Sequence, residues 1–170
     1  ACVSGGVDSV VMFHLLKKYS LELGFNLFCI TVNHNIREKK ESSRDAEFVK
    51  TLSKKLDVPF FEKVYEENFI SSIEKQRKNG IEEAARFCRY KAIEEYAEKI
   101  QADCICFAHN KNDQLETLLQ QFFQGSIFNC GIPISRNKIF RPLLNISRKE
   151  IEKYAKENDL SYCLDSTNLE

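Results

Sequence analysis

Little in this sequence interrupts regular structure, since its 170 residues hold only six Gly and three Pro. That scarcity excludes a collagen-like or low-complexity chain, and 43% hydrophobic residues exclude a disordered one. Charge of one sign is missing too, because 25 Lys and Arg offset 25 Asp and Glu. The balance offers no global sign of nucleic-acid binding, though a local basic face can hide within a neutral total. No apolar run approaches the roughly 18 residues of a membrane-spanning helix, so no membrane partner is expected. No secretory signal is visible. No Cys-x-x-Cys pair occurs, which leaves a zinc knuckle or an iron–sulfur site with little support. What remains is the composition of one domain, large enough to bury a core.

Seven cysteines are present, at positions 2, 29, 88, 104, 106, 130 and 163. An odd, scattered set is a poor disulfide framework, and it suits a reducing cytoplasm. Several lie in apolar runs, where free thiols pack as small hydrophobes. Cys104 and Cys106 would share one face of a strand, so a thiol site is conceivable there, with packing the better reading.

Apolar runs of strand length alternate with helical patterns. Residues 1–3 read as the end of a strand, and 27–32, 58–64 and 104–108 as further strands. Helical spacing covers 8–23, 43–56, 69–78, 81–100, 113–123 and 147–158. Gly24 and Asn79-Gly80 stand where helices should stop. Ser147 and Glu150 have capping-box spacing. Residues 126–146 read as irregular. The alternation specifies an α/β fold, a doubly wound and mostly parallel sheet with helices on both faces. Such sheets bind ligands where strands end and helices begin.

The first such junction is Ser4-Gly5-Gly6-Val7-Asp8-Ser9. Adjacent glycines let backbone N–H groups turn toward a ligand, and a helix N-terminus adds partial positive charge. The serines add hydroxyls, so the loop reads as a phosphate cradle. It is neither Gly-x-x-x-x-Gly-Lys-[Ser/Thr] nor Gly-x-Gly-x-x-Gly. Asp8 would repel phosphate there unless it holds a cation, and magnesium resolves the conflict. The same residues also suit a tight turn with Ser9 or Asp8 capping the helix.

Other junctions carry chemistry-bearing residues. His34 and Arg37 follow the second strand, in a stretch that would also serve as a solvated loop. Arg86 and Arg89 share one helical face and could grip phosphate, or pair with Glu82, Glu83 or Glu94. After the fourth strand, His109 could hydrogen-bond phosphate. Asp113 and Glu116 fall on one face and could hold an ammonium or a metal, or simply favour the helix dipole. Arg141, before a proline, is extended and can project from the rim.

The first hexapeptide resembles the Ser-Gly-Gly-x-Asp-Ser loop of the PP-loop ATP pyrophosphatases. Within that superfamily the chain resembles the tRNA(Ile)-lysidine synthetases, in the family's order. The matching stretches are Asn33-His34-Asn35-Ile36-Arg37, Ser43-Arg44-Asp45-Ala46, and Glu83-Ala84-Ala85-Arg86-Phe87-Cys88-Arg89-Tyr90. Next come Ala108-His109-Asn110-Lys111-Asn112-Asp113-Gln114-Leu115-Glu116-Thr117 and Phe140-Arg141-Pro142-Leu143-Leu144. Ser147-Arg148-Lys149-Glu150-Ile151 and Asp165-Ser166-Thr167-Asn168 complete the series. Asn112 departs from the family, which usually has Asp there, and leaves Asp113 as the better cation ligand.

The resemblance implies an adenine-nucleotide-hydrolase-like fold and a ligase using ATP and Mg2+. Its substrates would be an isoleucine tRNA with a CAU anticodon and free L-lysine, and it leaves room for a homodimer. It implies ATP contacts from Ser4, Gly5, Gly6, Val7, Asp8, Ser9, His34, Arg86, Arg89 and Arg141, with Asp8 on the metal. It implies catalytic roles for Asp8, Arg89, His109, Asp113 and Glu116. Residues 1–170 are expected to be an N-terminal catalytic domain, because residues 1–3 are short for a central strand and the family extends further. The rival readings are a PP-loop tRNA thiolase and a non-catalytic nucleotide-binding module.

Overall fold

In the computed structural model, which describes residues 1–34, 39–66, 68–78, 80–125 and 131–163, the apolar runs become the strands. The elements in chain order are α1 (Val7–Leu23), β1 (Cys29–Asn33), α2 (Lys39–Lys55), β2 (Phe60–Val64), α3 (Phe69–Arg77) and α4 (Ile81–Lys99). β3 (Ile105–Cys106), α5 (Lys111–Phe123), β4 (Ser135–Arg136), β5 (Ile139–Phe140) and α6 (Arg148–Glu157) follow.

β1 and β2 are parallel, with Cys29 opposite Phe60. β3 and β5 are parallel as well, and β4 folds back antiparallel on β5. Residues 1–3 lie between these two groups. Ile30 N donates to Ala1 O at 2.9 Å and Val3 N to Ile30 O at 3.0 Å. On the other edge Cys2 N donates to Cys106 O at 3.0 Å. The order across the ladder is therefore β2, β1, residues 1–3, β3, β5, β4. The chain leaves residues 1–3 toward β1 and returns past them to β3, so the strand order reverses there. That reversal is where an open α/β sheet has its ligand crevice.

Alternation along each strand sends neighbouring side chains to opposite faces. Cys29 packs with Val3, Phe13, Val49 and Val58, joining α1 and α2 to one face. Ile30 packs with Ile93, Ala97, Ile105 and Phe107, under α4 on the other. Val7, Val11, Met12, Leu143, Ile151 and Ala155 seat α6 beside α1. Ile70, Ala84, Ala85 and Cys88 fasten α3 to α4. Among the described residues, no helix is long and apolar enough to cross a membrane.

Four readings need correction. Residues 126–146 are not wholly irregular, since β4 and β5 form a hairpin there; strands of two residues are too short to show a period. α2 and α5 begin at Lys39 and Lys111, ahead of the expected 43 and 113. Ile81, the apolar residue that opens the helical pattern over 81–100 and would be expected to face the core, is 41% exposed. Cys104 does not pack either. It is exposed, while Cys106 enters the α1–α6 core and sits 4.0 Å from it, sulfur to sulfur.

Phe13 has no exposed surface and anchors the α1–α2 side of the sheet. Phe13→Ala should cost about 3–5 kcal/mol, measured by urea unfolding.

Candidate active site at the strand ends

Four of the positions singled out in the sequence stand at carboxyl ends of the sheet. Ser4 follows residues 1–3, His34 follows β1, His109 lies just beyond β3, and Arg141 follows β5. Tyr65 takes the matching place after β2.

The Ser4-to-Ser9 loop is shaped from within. Gly5 has φ +95°, a conformation that favours glycine, and a Cβ there would lie 3.2 Å from Cys163 Sγ. Cys163 N donates to Gly5 O at 2.9 Å. The Ser9 hydroxyl donates to Gly6 O at 2.8 Å and accepts from Ser4 N at 3.2 Å, so it braces the loop. Val7 is buried in the core and can offer a ligand only its backbone. The N-cap of α1 is Gly6, not Ser9 or Asp8, and it has no side chain to occupy the first N–H groups of the helix. Those donors suit an anion.

Asp8 is the point where three elements meet. Its Oδ1 accepts from Asn110 Nδ2 at 3.1 Å, and its Oδ2 takes the Nη1 of Arg148, at the start of α6. Burial pushes the carboxyl up, against the pull of Arg148 and Asn110, and Asp113 adds to the rise. Asn110 caps α5 in a reciprocal box. Its side chain accepts from Asn112 N and Asp113 N, while Asp113 Oδ2 accepts from Asn110 N at 2.8 Å. Asn112 Oδ1 accepts from Arg148 N at 3.1 Å, so the departure at position 112 keeps an acceptor that ties α5 to α6. Arg148 Nε reaches Glu152 at 2.9 Å. Among the described residues no group of three or more His, Cys, Asp or Glu stands ready to hold a metal. A lone carboxylate such as Asp8 is a hard oxygen donor that suits magnesium only where substrate phosphates supply further oxygens.

Two histidines are kept neutral by burial, with arginines beside them acting in the same direction. Arg89 Nε donates to His34 Nε2 at 3.3 Å, and Arg141 Nε to His109 Nδ1 at 3.3 Å. Burial, then Arg89, lowers His34 to about 4. Burial lowers His109 also, with Arg141, Arg86 and Arg89 acting in the same direction. Each ring accepts on one nitrogen, so its proton sits on the other, Nδ1 of His34 and Nε2 of His109. His34 Nδ1 is buried and has no hydrogen-bond partner among the described residues, and its ring stacks on Tyr65 at 6.0 Å.

Positive charge at the strand ends therefore comes from arginines. Arg141 is 7% exposed, and its side chain donates to His109 and to Pro133 O at 2.8 Å. Among the described residues no carboxylate pairs with it. Arg86 lies over Tyr90 at 5.5 Å, and Tyr90 stacks on Phe107. Arg86 pairs with none of Glu82, Glu83 and Glu94 among the described residues.

Asp113 and Glu116 share a face of α5, but Asp113 doubles as its capping acid and Glu116 is exposed. Residues 35–38 and Asp165-Ser166-Thr167-Asn168 lie outside the described residues. Asn110 and Arg148 belong to quoted motifs, yet neither was singled out. The signal for Asn110 was its N-cap position before Asp113. No local pattern links Arg148 to Asp8.

A family model described as the PP-loop domain matches residues 1–170. The chain belongs to this family. Curated relatives agree. A tRNA(Ile)-lysidine synthase of Treponema denticola is 44% identical over 99% of the chain and 37% of its own length. One of Thermosipho africanus is 41% identical over 99% of the chain and 39% of its own length. The chain thus spans less than two-fifths of these relatives. Among solved structures, the U34-tRNA thiolase NcsA from Methanococcus maripaludis with its [4Fe-4S] cluster has TM-score 0.76 at 21% identity, covering 95% of this chain and 57% of its own. The NH3-dependent NAD synthetase from Campylobacter jejuni has TM-score 0.61 at 20% identity, covering 94% of this chain and 62% of its own. These two likenesses carry the PP-loop fold alone.

Two outcomes follow from the geometry of this PP-loop domain. Gly5→Ala should destabilise the fold by about 1–3 kcal/mol, through a strained φ and the contact with Cys163; thermal melts would show it. His34 is neutral in the folded chain down to about pH 4, whereas an unfolded histidine takes up its proton near 6.5. The unfolded state binds more protons inside that window, so stability is full above it and falls as pH drops through it. His14 and His109 are lowered too and act with the same sign. Urea midpoints should therefore fall less for His34→Gln than for wild type as the pH is lowered across the window.

Proposed function

We propose that this chain is the N-terminal catalytic domain of a cytoplasmic tRNA(Ile)-lysidine synthase, an ATP-consuming ligase. In this reading the carbonyl oxygen of the wobble cytidine, in a CAU anticodon, attacks the α-phosphorus of ATP. The α–β bond breaks and pyrophosphate leaves. The ε-amine of free lysine then attacks the activated carbon, loses a proton and expels AMP, giving lysidine. The observation that carries the reading is a buried guanidinium, Arg141, whose partners among the described residues are neutral, beside the neutral His109 at the strand ends of a PP-loop domain. A buried cation without a carboxylate is costly until an anion reaches it. The 44% identity to a curated tRNA(Ile)-lysidine synthase supports the choice of substrate class.

The roles follow from position. The Ser4-to-Ser9 loop and the first turn of α1 hold the departing pyrophosphate. Arg141 and Arg89 take up phosphate charge, and His109 donates from Nε2 as charge develops. His34, Arg86 and Arg89 line the ATP side. Asp113 and Glu116 receive the lysine ammonium and orient its amine. Asp8 would hold magnesium, which when bound neutralises phosphate charge.

The test is transfer of labelled lysine to an unmodified tRNA(Ile) by the full-length protein. ATP-dependent label is expected. AMP and pyrophosphate without label would point to another nucleophile. Asp8→Asn should abolish AMP formation, and Glu116→Ala should raise the lysine requirement by about 10- to 100-fold.

A further inference from the structure

The cation against Asp8 comes from a residue 140 positions away, Arg148 at the first turn of α6. We propose that Arg148 is a built-in counter-cation that occupies the metal position of Asp8 until nucleotide enters, so that the divalent ion binds with the nucleotide and not before it. The inference rests on Asp8 being the metal-bearing carboxylate.

The local charges call for such a group. The Asp8 side chain is 20% exposed, and the Asp113 carboxylate lies close enough to disfavour its ionised form. Two carboxylates in a shielded cleft attract a cation strongly, and Arg148 supplies it. One oxygen of Asp8 takes Asn110 and the other takes Arg148, so both are engaged.

Arg148 is also built to let go. Its Nε holds Glu152 at 2.9 Å, one helical turn along, and its backbone N is fixed by Asn112 at 3.1 Å. The side chain is 37% exposed, so the guanidinium can swing from Asp8 while keeping Glu152. A triphosphate offers it oxygens in bidentate geometry. In the exchange each charged group keeps a partner of opposite sign, the guanidinium passing to phosphate as the carboxylate passes to the incoming metal.

Mn2+ is the probe, with free Mn2+ read by electron paramagnetic resonance on the full-length protein, with and without a non-hydrolysable ATP analogue. Wild type should bind Mn2+ only alongside the analogue. Arg148→Gln should bind it without nucleotide at least about tenfold more tightly than wild type, and Arg148→Lys should behave like wild type. The double variant Asp8→Asn with Arg148→Gln should lose the gain. No gain in Arg148→Gln, or a gain that survives the loss of Asp8, would overturn the proposal. Unchanged binding of Mn2+ with the analogue in Asp8→Asn would overturn the reading of Asp8 and the proposal with it. Should Arg148→Gln not fold, the wild-type titration decides, because equal Mn2+ affinity with and without nucleotide would also overturn it.

Discussion

Residues 1–3 hydrogen-bond to β1 on one side and to β3 on the other. Without those bonds the β1–β2 pair and the β3–β5–β4 group would have no common ladder. Because the chain leaves this segment toward β1 and comes back to β3 on the far side, two loops diverge from adjacent strand ends. One is the Ser4-to-Ser9 loop and the other leads through His109 to Asn110. Their proximity lets Asn110 reach Asp8. The Thr31 hydroxyl donates to Val3 O at 2.8 Å and reinforces the segment from β1.

The electrostatics divide the labour between residue types. Burial and neighbouring guanidiniums keep His34 and His109 uncharged, each with an N–H on one ring nitrogen and an acceptor on the other. Charge resides on arginines, which cannot be deprotonated in this setting. Arg141 and Arg89 each orient one histidine through Nε and so fix which ring nitrogen carries the proton. A lysine could not do this equally well, since it lacks the planar fork. The arrangement concentrates fixed positive charge at the strand ends while the two histidines stay uncharged at neutral pH.

The network at Asp8 joins three helix starts. α1, the cap of α5 and the first turn of α6 converge on one carboxylate and its neighbours. Two capping boxes, Asn110 with Asp113 and Ser147 with Glu150, fix where α5 and α6 begin. Asn112 then binds the two helix starts together. This is a physical use for position 112 that does not depend on a charge. By contrast, α5 buries none of its described side chains, and Phe122 and Phe123 are 77% and 81% exposed. The helix is positioned through its N-terminus more than through packing.

The α/β class, the alternation of elements and the strand-to-helix junctions could be read from the sequence, because they depend on local periodicity and on glycine, serine and capping chemistry. Ser147 with Glu150 was legible for the same reason, and so was the loop at Gly5 and Gly6. Tertiary structure alone decided the rest. It paired β4 with β5, whose two-residue strands carry no periodic signal. It left Ile81 and Cys104 exposed, since burial depends on what packs above a residue and not on its own hydrophobicity. It set the protonation of His34 and His109, which follows from desolvation and from guanidiniums distant in sequence. It also brought Arg148 to Asp8, a contact across 140 positions that no local pattern can encode.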